Sequence, residues 1–60
     1  MDKEPYYIID MKKAIVYAPV WLSKEEVLSL PKTEIACKSE ATMEVYFKEA
    51  KRNKEEKHAS

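Results

Sequence analysis

Aromatic and β-branched residues dominate two short runs near the N-terminus, residues 6–10 and 14–21. Residues of these types are enriched in β-strands. Asp10 ends the first run and can open a tight turn, because its side chain can accept hydrogen bonds from the backbone that follows. The pattern predicts an antiparallel hairpin. Pro19 has no N–H to donate to a strand ladder, so we expect it at a sheet edge or a bulge.

The same segment also permits a helix. Four apolar residues recur at helical spacing: Ile8, Met11, Ile15 and Ala18. A helix here would make the chain an all-α, three-helix protein. The density of Tyr, Ile and Val favours the hairpin over this alternative.

A short helix is specified after the second run. Ser23 and Glu26 have the spacing of a capping box, in which each side chain bonds the backbone N–H of the other residue. Leu22 and Val27 have the spacing of the hydrophobic staple that fixes the entry of the chain. Pro31 cannot continue the helix. These signals predict a helix of about two turns between residues 24 and 30.

Residues 34–57 favour a longer amphipathic helix. Its apolar side holds Ile35, Ala36, Met43, Tyr46, Phe47 and Ala50. Ser39 and Thr42 could each begin a helix, so a break near residues 37–39 stays open. Residues 53–60 are polar and are predicted to fray into a tail.

These elements predict an α+β fold: an N-terminal β-hairpin, a short capped helix and a longer amphipathic C-terminal helix. Sixty residues make one small domain, with an ordered core at about residues 5–52 and the polar tail at 53–60. One cysteine excludes an internal disulfide, and one histidine excludes a Cys/His zinc site. We expect no metal or cofactor. A core this small is marginal without a partner chain, which favours a homodimer.

The charge balance argues against some partners. Charged residues are 37% of the chain and hydrophobic residues 45%, which is typical of a globular protein rather than a disordered one. A net charge of zero gives no overall attraction to nucleic acid or a membrane. The longest apolar run, residues 14–22, contains Pro19 and is too short to span a bilayer. The first residues lack the pattern of a signal peptide, so we expect a cytoplasmic protein.

The candidates for catalysis are weak. His58 lies in the polar tail, where a solvated side chain is expected. Cys37 is expected to be a small packing residue, although the adjacent Lys38 could lower its pKa slightly. Glu25 and Glu26 are neighbours that point about 100° apart on a helix. The chain contains no glycine and therefore no glycine-rich phosphate loop. We expect no enzyme activity and no small-molecule substrate.

Protein binding is the function that the composition favours most. Six aromatic residues are more than so small a core can bury, and exposed aromatic rings are enriched at interfaces. The candidate interface residues are Tyr6, Tyr7, Tyr17, Trp21 and Val45. Trp21, beside the staple, is expected to be largely in the core. We expect a small regulator or adaptor, of the kind that phage or accessory genes often encode, acting on a partner protein or on itself as a homodimer.

A DNA-binding regulator is the alternative. Two helices separated by a short turn would resemble a helix-turn-helix. The basic residues of the second helix and its C-terminal end would then contact phosphates: Lys48, Lys51, Arg52 and Lys54. Glutamates interleave with them, which favours a solvated surface of ion pairs instead.

Overall fold

The computed structural model describes residues 2–59, with side chains through residue 56. Its elements are β1 (Glu4–Asp10), β2 (Ile15–Leu22), α1 (Lys24–Leu28), β3 (Glu34–Cys37) and α2 (Glu40–Ala59). The predicted α+β fold, with an N-terminal hairpin and a C-terminal helix, is confirmed, and the all-α alternative is wrong. The α2 helix continues through residues 53–59, most of the segment predicted to be a tail.

The sheet has the order β2-β1-β3, and β1 is antiparallel to both neighbours. A central strand is covered by neighbours on both sides, and β1 holds most of the buried side chains. Tyr6, Ile8 and Ile9 of this strand are buried, whereas β2 is largely exposed. The tyrosine- and isoleucine-rich run is therefore the centre of the fold.

Asp10 organises the turn of the hairpin, as predicted. Its carboxylate accepts hydrogen bonds from the backbone N–H groups of Lys12, at 3.0 Å, and Lys13, at 2.9 Å. The backbone N–H of Ala14 donates to the carbonyl oxygen of Asp10 at 2.8 Å. Closing the turn places Ala14 at φ 57°. This left-handed conformation usually falls to glycine, which the chain lacks.

A β-bulge interrupts the pairing of β1 with β2. The register shifts at Tyr7, which stands opposite two residues of β2, Ala18 and Pro19. β2 is also an edge strand of the sheet. Pro19 thus occupies both of the positions predicted for it, an edge and a bulge.

The bulge changes which way the second half of β2 faces. Tyr17 pairs with Ile8 before the bulge, and Trp21 pairs with Pro5 after it. Residues that pair directly across an antiparallel ladder point to the same face, and Ile8 and Pro5 are three positions apart in β1. Tyr17 and Trp21 therefore project to opposite faces of the sheet, whereas a regular strand would place them on one.

The capping box at the start of α1 is confirmed. The backbone N–H of Ser23 donates to the Glu26 carboxylate at 2.9 Å, and the backbone N–H of Glu26 donates to Ser23 Oγ at 3.2 Å. The helix ends at Leu28, earlier than Pro31 alone would require. α1 packs against β2.

The prediction that the long helix begins at residue 34 is wrong. Residues 34–37 form β3, in which Ile35 pairs with Ile9 of the central strand. The second edge of β1 offers backbone partners, and these override the helical pattern of this short segment. The helix begins instead after Ser39, whose hydroxyl oxygen lies 3.4 Å from the donating N–H of Thr42. The break left open near residues 37–39 is the true start of α2.

α2 packs against β1 and β3 and completes the core. Ala50 of α2 and Ile9 of β1 are both fully buried. Residues 51–56 are exposed, and the helix runs on past the sheet, so the molecule is elongated, with extents of 45 × 22 × 12 Å. Within residues 2–59, neither helix combines the length and the apolar character needed to cross a membrane.

Candidate protein-binding surface

Large hydrophobic side chains are exposed mainly along β2. The exposed fractions are 43% for Ile15, 43% for Tyr17, 58% for Trp21, 86% for Leu28 and 64% for Val45. The first three belong to this one edge strand, whose side chains have a neighbouring strand on one side only. β2 is therefore the main apolar surface of the described chain.

Trp21 does not lie in the core, and that prediction is wrong. The ring sits near the end of an edge strand, and its cross-strand partner, Pro5, is itself exposed. Helix α2 packs mainly against β1 and β3. The staple residues Leu22 and Val27 are half-buried, whereas the indole of Trp21 beside them remains exposed to solvent.

An open cleft of about 470 Å³ lies at the bulge. Its lining residues are Pro5, Tyr6, Tyr7, Ala18, Pro19 and Lys38. We call this the aromatic cleft. Tyr7 is half-buried here, and Pro5, the cross-strand partner of Trp21, lies on its wall. The cleft and the exposed indole therefore adjoin, and together they present aromatic rings and prolines.

Lys38 closes one end of the aromatic cleft. Its Nζ lies 2.8 Å from Glu4 Oε2 and 5.5 Å from the centre of the Tyr6 ring. The hydrogen bond and the charge of Lys38 hold the pKa of Glu4 below its ordinary value, and Glu4 in turn raises the pKa of Lys38. The charge at this end of the cleft is thus balanced within the chain.

A second, more apolar cleft of about 550 Å³ lies between β2 and α2. Its lining residues are Ala14, Ile15, Val16, Met43, Glu44 and Phe47. We call this the β2–α2 cleft. Ile15 is 43% exposed, whereas Met43 and Phe47 are half-buried. A single partner with apolar side chains could fill this cleft and cover Ile15 at the same time.

Two of the predicted interface residues are not free anchors on the β2 surface. Tyr6 lines the aromatic cleft, but it is only 9% exposed and belongs to the core of the chain, because β1 is the central strand. Val45 is exposed on α2, where it lines a groove with the charged residues Lys48, Glu49, Arg52 and Glu56 and with Asn53. The predicted residues that the structure brings to the β2 surface are Tyr7, Tyr17 and Trp21.

The sequence analysis missed Ile15 and Leu28 as exposed apolar residues. Ile15 follows the turn directly and opens an edge strand, so its exposure depends on strand order, which the sequence does not display. The exposure of Leu28, in contrast, could have been predicted from its position in the short helix. It lies about 100° around the helix from Val27, whose staple position sets the packed side of α1.

The helix-turn-helix interpretation is wrong, because β3 separates α1 from α2. The predicted phosphate-contacting residues are exposed on α2, but several have contacts within the chain. Arg52 lies 3.7 Å from Glu56, and Lys54 Nζ donates to the Lys13 carbonyl at 3.4 Å. Lys51 Nζ lies 5.6 Å from the Phe47 ring centre. Lys48 shares its groove with glutamates.

The candidate catalytic groups have structural roles or lie outside the described side chains. Burial raises the pKa of the Cys37 thiol, whose Sγ lies 3.8 Å from the Tyr7 carbonyl oxygen. The expected lowering by Lys38 is wrong, because that ammonium group binds Glu4. The hydrogen bond from the Ser23 backbone N–H lowers the pKa of Glu26, which caps α1. His58 lies outside the described side chains.

No group of three or more His, Cys, Asp or Glu side chains is placed to hold a metal within the described part of the chain. No family model matches the chain, and neither a curated protein nor a solved structure is significantly similar to it. The β2 surface is therefore the feature from which a function has to be inferred.

Proposed function

We propose that this protein is a small, non-enzymatic cytoplasmic regulator or adaptor that binds a partner protein through β2 and acts as a homodimer. The observation that carries the proposal is the exposure of Trp21, at 58%, beside the aromatic cleft. The partner would be a protein segment with apolar side chains, because the cleft is lined by two tyrosine rings, two prolines and an alanine, and the charge of Lys38 at its end is paired with Glu4.

The energetics of aromatic side chains support this proposal. Trp and Tyr bury roughly 150–250 Å² each when covered, and they are enriched among the residues that dominate binding free energies. Tyr7 and Pro5 beside Trp21 would supply a firm wall, since both lie in the strand at the centre of the sheet. Residues on a strand are already ordered, so little conformational entropy is lost when a partner binds them.

The small core supports a binding role that includes self-association. The fully or nearly buried hydrophobic residues of the described chain are Tyr6, Ile8, Ile9 and Ala50. The five exposed large hydrophobic residues outnumber them. A partner that covers part of β2 would add buried apolar area at roughly 25 cal/mol per Å². Binding and stability would then be coupled, because a partner of the folded state stabilises it.

Capture of partners from host lysate by immobilised wild-type protein and by the Trp21→Ala variant tests the proposal. Val45→Ala is the matched control, because it removes an exposed apolar side chain from α2 instead of β2. We expect the same specific partner with the wild type and with Val45→Ala, and at least a tenfold loss with Trp21→Ala. Equal capture by all three proteins would contradict the assigned surface.

Trp21 also supplies a direct readout, because it is the only tryptophan in the chain. Once a partner is identified, titrating it should shift the indole emission to shorter wavelength as the ring leaves water. An emission maximum that does not move at saturation would show that the partner binds elsewhere. Circular dichroism of Trp21→Ala establishes that the variant keeps its fold.

A further inference from the structure

The two edges of the sheet differ in charge. β3 is four residues long, begins with Glu34 and is flanked by Lys32 and Lys38. β2 is eight residues long, and residues 14–22 contain no charged side chain. Proteins that stay monomeric usually protect exposed edges with short strands, charges, proline or bulges. β3 has the first two of these protections, and β2 has only its proline and bulge.

The protection of β2 covers only half of the strand. Pro19 and the bulge lie opposite Tyr7, past the middle of the pairing with β1. Residues 15–17 pair regularly with residues 8–10 of β1, from Ile15 opposite Asp10 to Tyr17 opposite Ile8. Their outer edge is a regular stretch of backbone that can accept another strand.

The side chains on this stretch that are exposed or half-buried point to both faces of the sheet. Ile15 and Tyr17 project to one face, and Val16, which pairs with Ile9, projects to the other. Val16 is only half-buried, although Ile9 beside it is fully buried. A partner packed on one face would cover only part of this surface. A strand added at the edge contacts both faces at once.

We infer that a second copy of this chain pairs with residues 15–17 of β2 in antiparallel orientation, joining two three-stranded sheets into one of six strands. The inference rests on the proposed function, because it names the self-association partner of the same strand. A two-fold axis at Val16 places Ile15 opposite Tyr17 of the second copy. The same pair recurs on the other side of the axis, as a symmetric dimer requires.

This register matches apolar groups without placing like charges together. Ile with Tyr is a favourable cross-strand pair of β-branched and aromatic side chains. Ile15 also lines the β2–α2 cleft, so Tyr17 of the second copy would lie at its edge and help to cover Phe47 and Met43. The net charge of zero means that two copies approach without overall repulsion.

The test compares two double variants by sedimentation velocity at low salt. Ile15→Lys/Tyr17→Lys places lysine opposite lysine across the two-fold axis, whereas Ile15→Lys/Tyr17→Glu places lysine opposite glutamate. Both positions are 43% exposed, so both variants should fold. We expect wild type to sediment at twice the 7.0 kDa chain mass. We expect the Lys/Glu variant to remain dimeric and the Lys/Lys variant to be monomeric, with dimer affinity at least tenfold lower.

Three results would overturn the inference, and one further variant separates it from the proposed function. A wild type that stays at 7.0 kDa at high micromolar concentration excludes the dimer. Two double variants that associate equally exclude the register. Trp21→Ala lies beyond the bulge and should leave the dimer intact, so loss of partner capture with an unchanged dimer separates the proposed function from this pairing. Protein-concentration-dependent protection from hydrogen exchange should appear at the amides of residues 15–17. Protection at the amides of β3 instead would place the dimer contact at the β3 edge and contradict the inference.

Discussion

The ammonium group of Lys38 lies 2.8 Å from the Glu4 carboxylate, and this ion pair joins the end of β3 to the start of β1. The two partners are 34 positions apart along the chain. Both side chains are about half exposed, so water and salt weaken the attraction. The pair nevertheless holds Lys38 at the end of the aromatic cleft.

We expect the contribution of this pair to depend on pH. The pKa of Glu4 is lowered in the folded state, so its stabilisation is present above the ordinary glutamate pKa, about 4.3, and is lost as the pH falls through the folded value. The raised pKa of Lys38 preserves the pair until alkaline pH, where the stabilisation is lost as the pH rises through the folded lysine pKa.

The variant Lys38→Met should therefore unfold at lower urea concentration than wild type at pH 7 and at the same concentration near pH 2. The difference at pH 7 should shrink in high salt. Lys48→Met, which removes the same charge from the exposed surface of α2, is the control and should show no such pH pattern. A Lys38→Met difference that persists in strong acid would show that packing against Tyr6 dominates instead.

Ser23→Ala should destabilise the protein by about 1 kcal/mol, because it removes the oxygen that accepts the Glu26 backbone N–H. For a domain of this size, that corresponds to a fall in Tm of about 4–8 °C. Thermal unfolding followed by circular dichroism measures the change. Ser29→Ala removes a hydroxyl bond at the exposed other end of α1 and should cost less than about 0.5 kcal/mol. Equal losses of stability in the two variants would mean that the Ser23 cap contributes no more than the Ser29 hydroxyl.

Ala14→Gly should stabilise the protein by about 0.5–1 kcal/mol. An L-residue in the left-handed region costs roughly 1–2 kcal/mol, and the greater freedom of glycine in the unfolded chain offsets part of the gain. Ala41→Gly, in the exposed first part of α2, is the control and should change stability in the opposite direction. Urea unfolding measures both. A destabilising Ala14→Gly would show that the Ala14 methyl group in the β2–α2 cleft outweighs its backbone strain.

The Cys37 thiol should react slowly with iodoacetamide at neutral pH. Burial raises its pKa, and the thiolate is the reactive form. We expect alkylation to be several times slower in the folded protein than in the urea-unfolded chain. Lys38→Met should leave the folded rate unchanged, because that lysine binds Glu4. A folded rate above the unfolded one would indicate an activated thiol.

The elements that were predicted correctly are those with local signals. Asp10 bonds to the backbone two and three residues on, and Ser23 bonds to Glu26, so a short window of sequence contains both partners. The position of Pro19 at an edge and a bulge was predicted from its missing backbone N–H. These interactions need no knowledge of the rest of the chain.

The features that were missed depend on distant partners. Ile35 is a strand residue because it pairs with Ile9, which is far away in sequence, at the second edge of β1. The exposure of Trp21 follows from strand order and from the extra residue opposite Tyr7. The candidate surface could be predicted only in its residue types, since tertiary pairing determines which aromatic rings are left in solvent.

The extra residue at Ala18 and Pro19 has a consequence for how this surface can evolve. It divides an eight-residue strand into two segments with different facing, so a substitution at Tyr17 leaves the surroundings of Trp21 unchanged. The proposed self-association through residues 15–17 and the proposed partner binding through Trp21 could then change independently in evolution. Adding one residue beside Tyr7 in β1 would remove the bulge, turn Trp21 to the face of Tyr17 and merge the two surfaces in a single step.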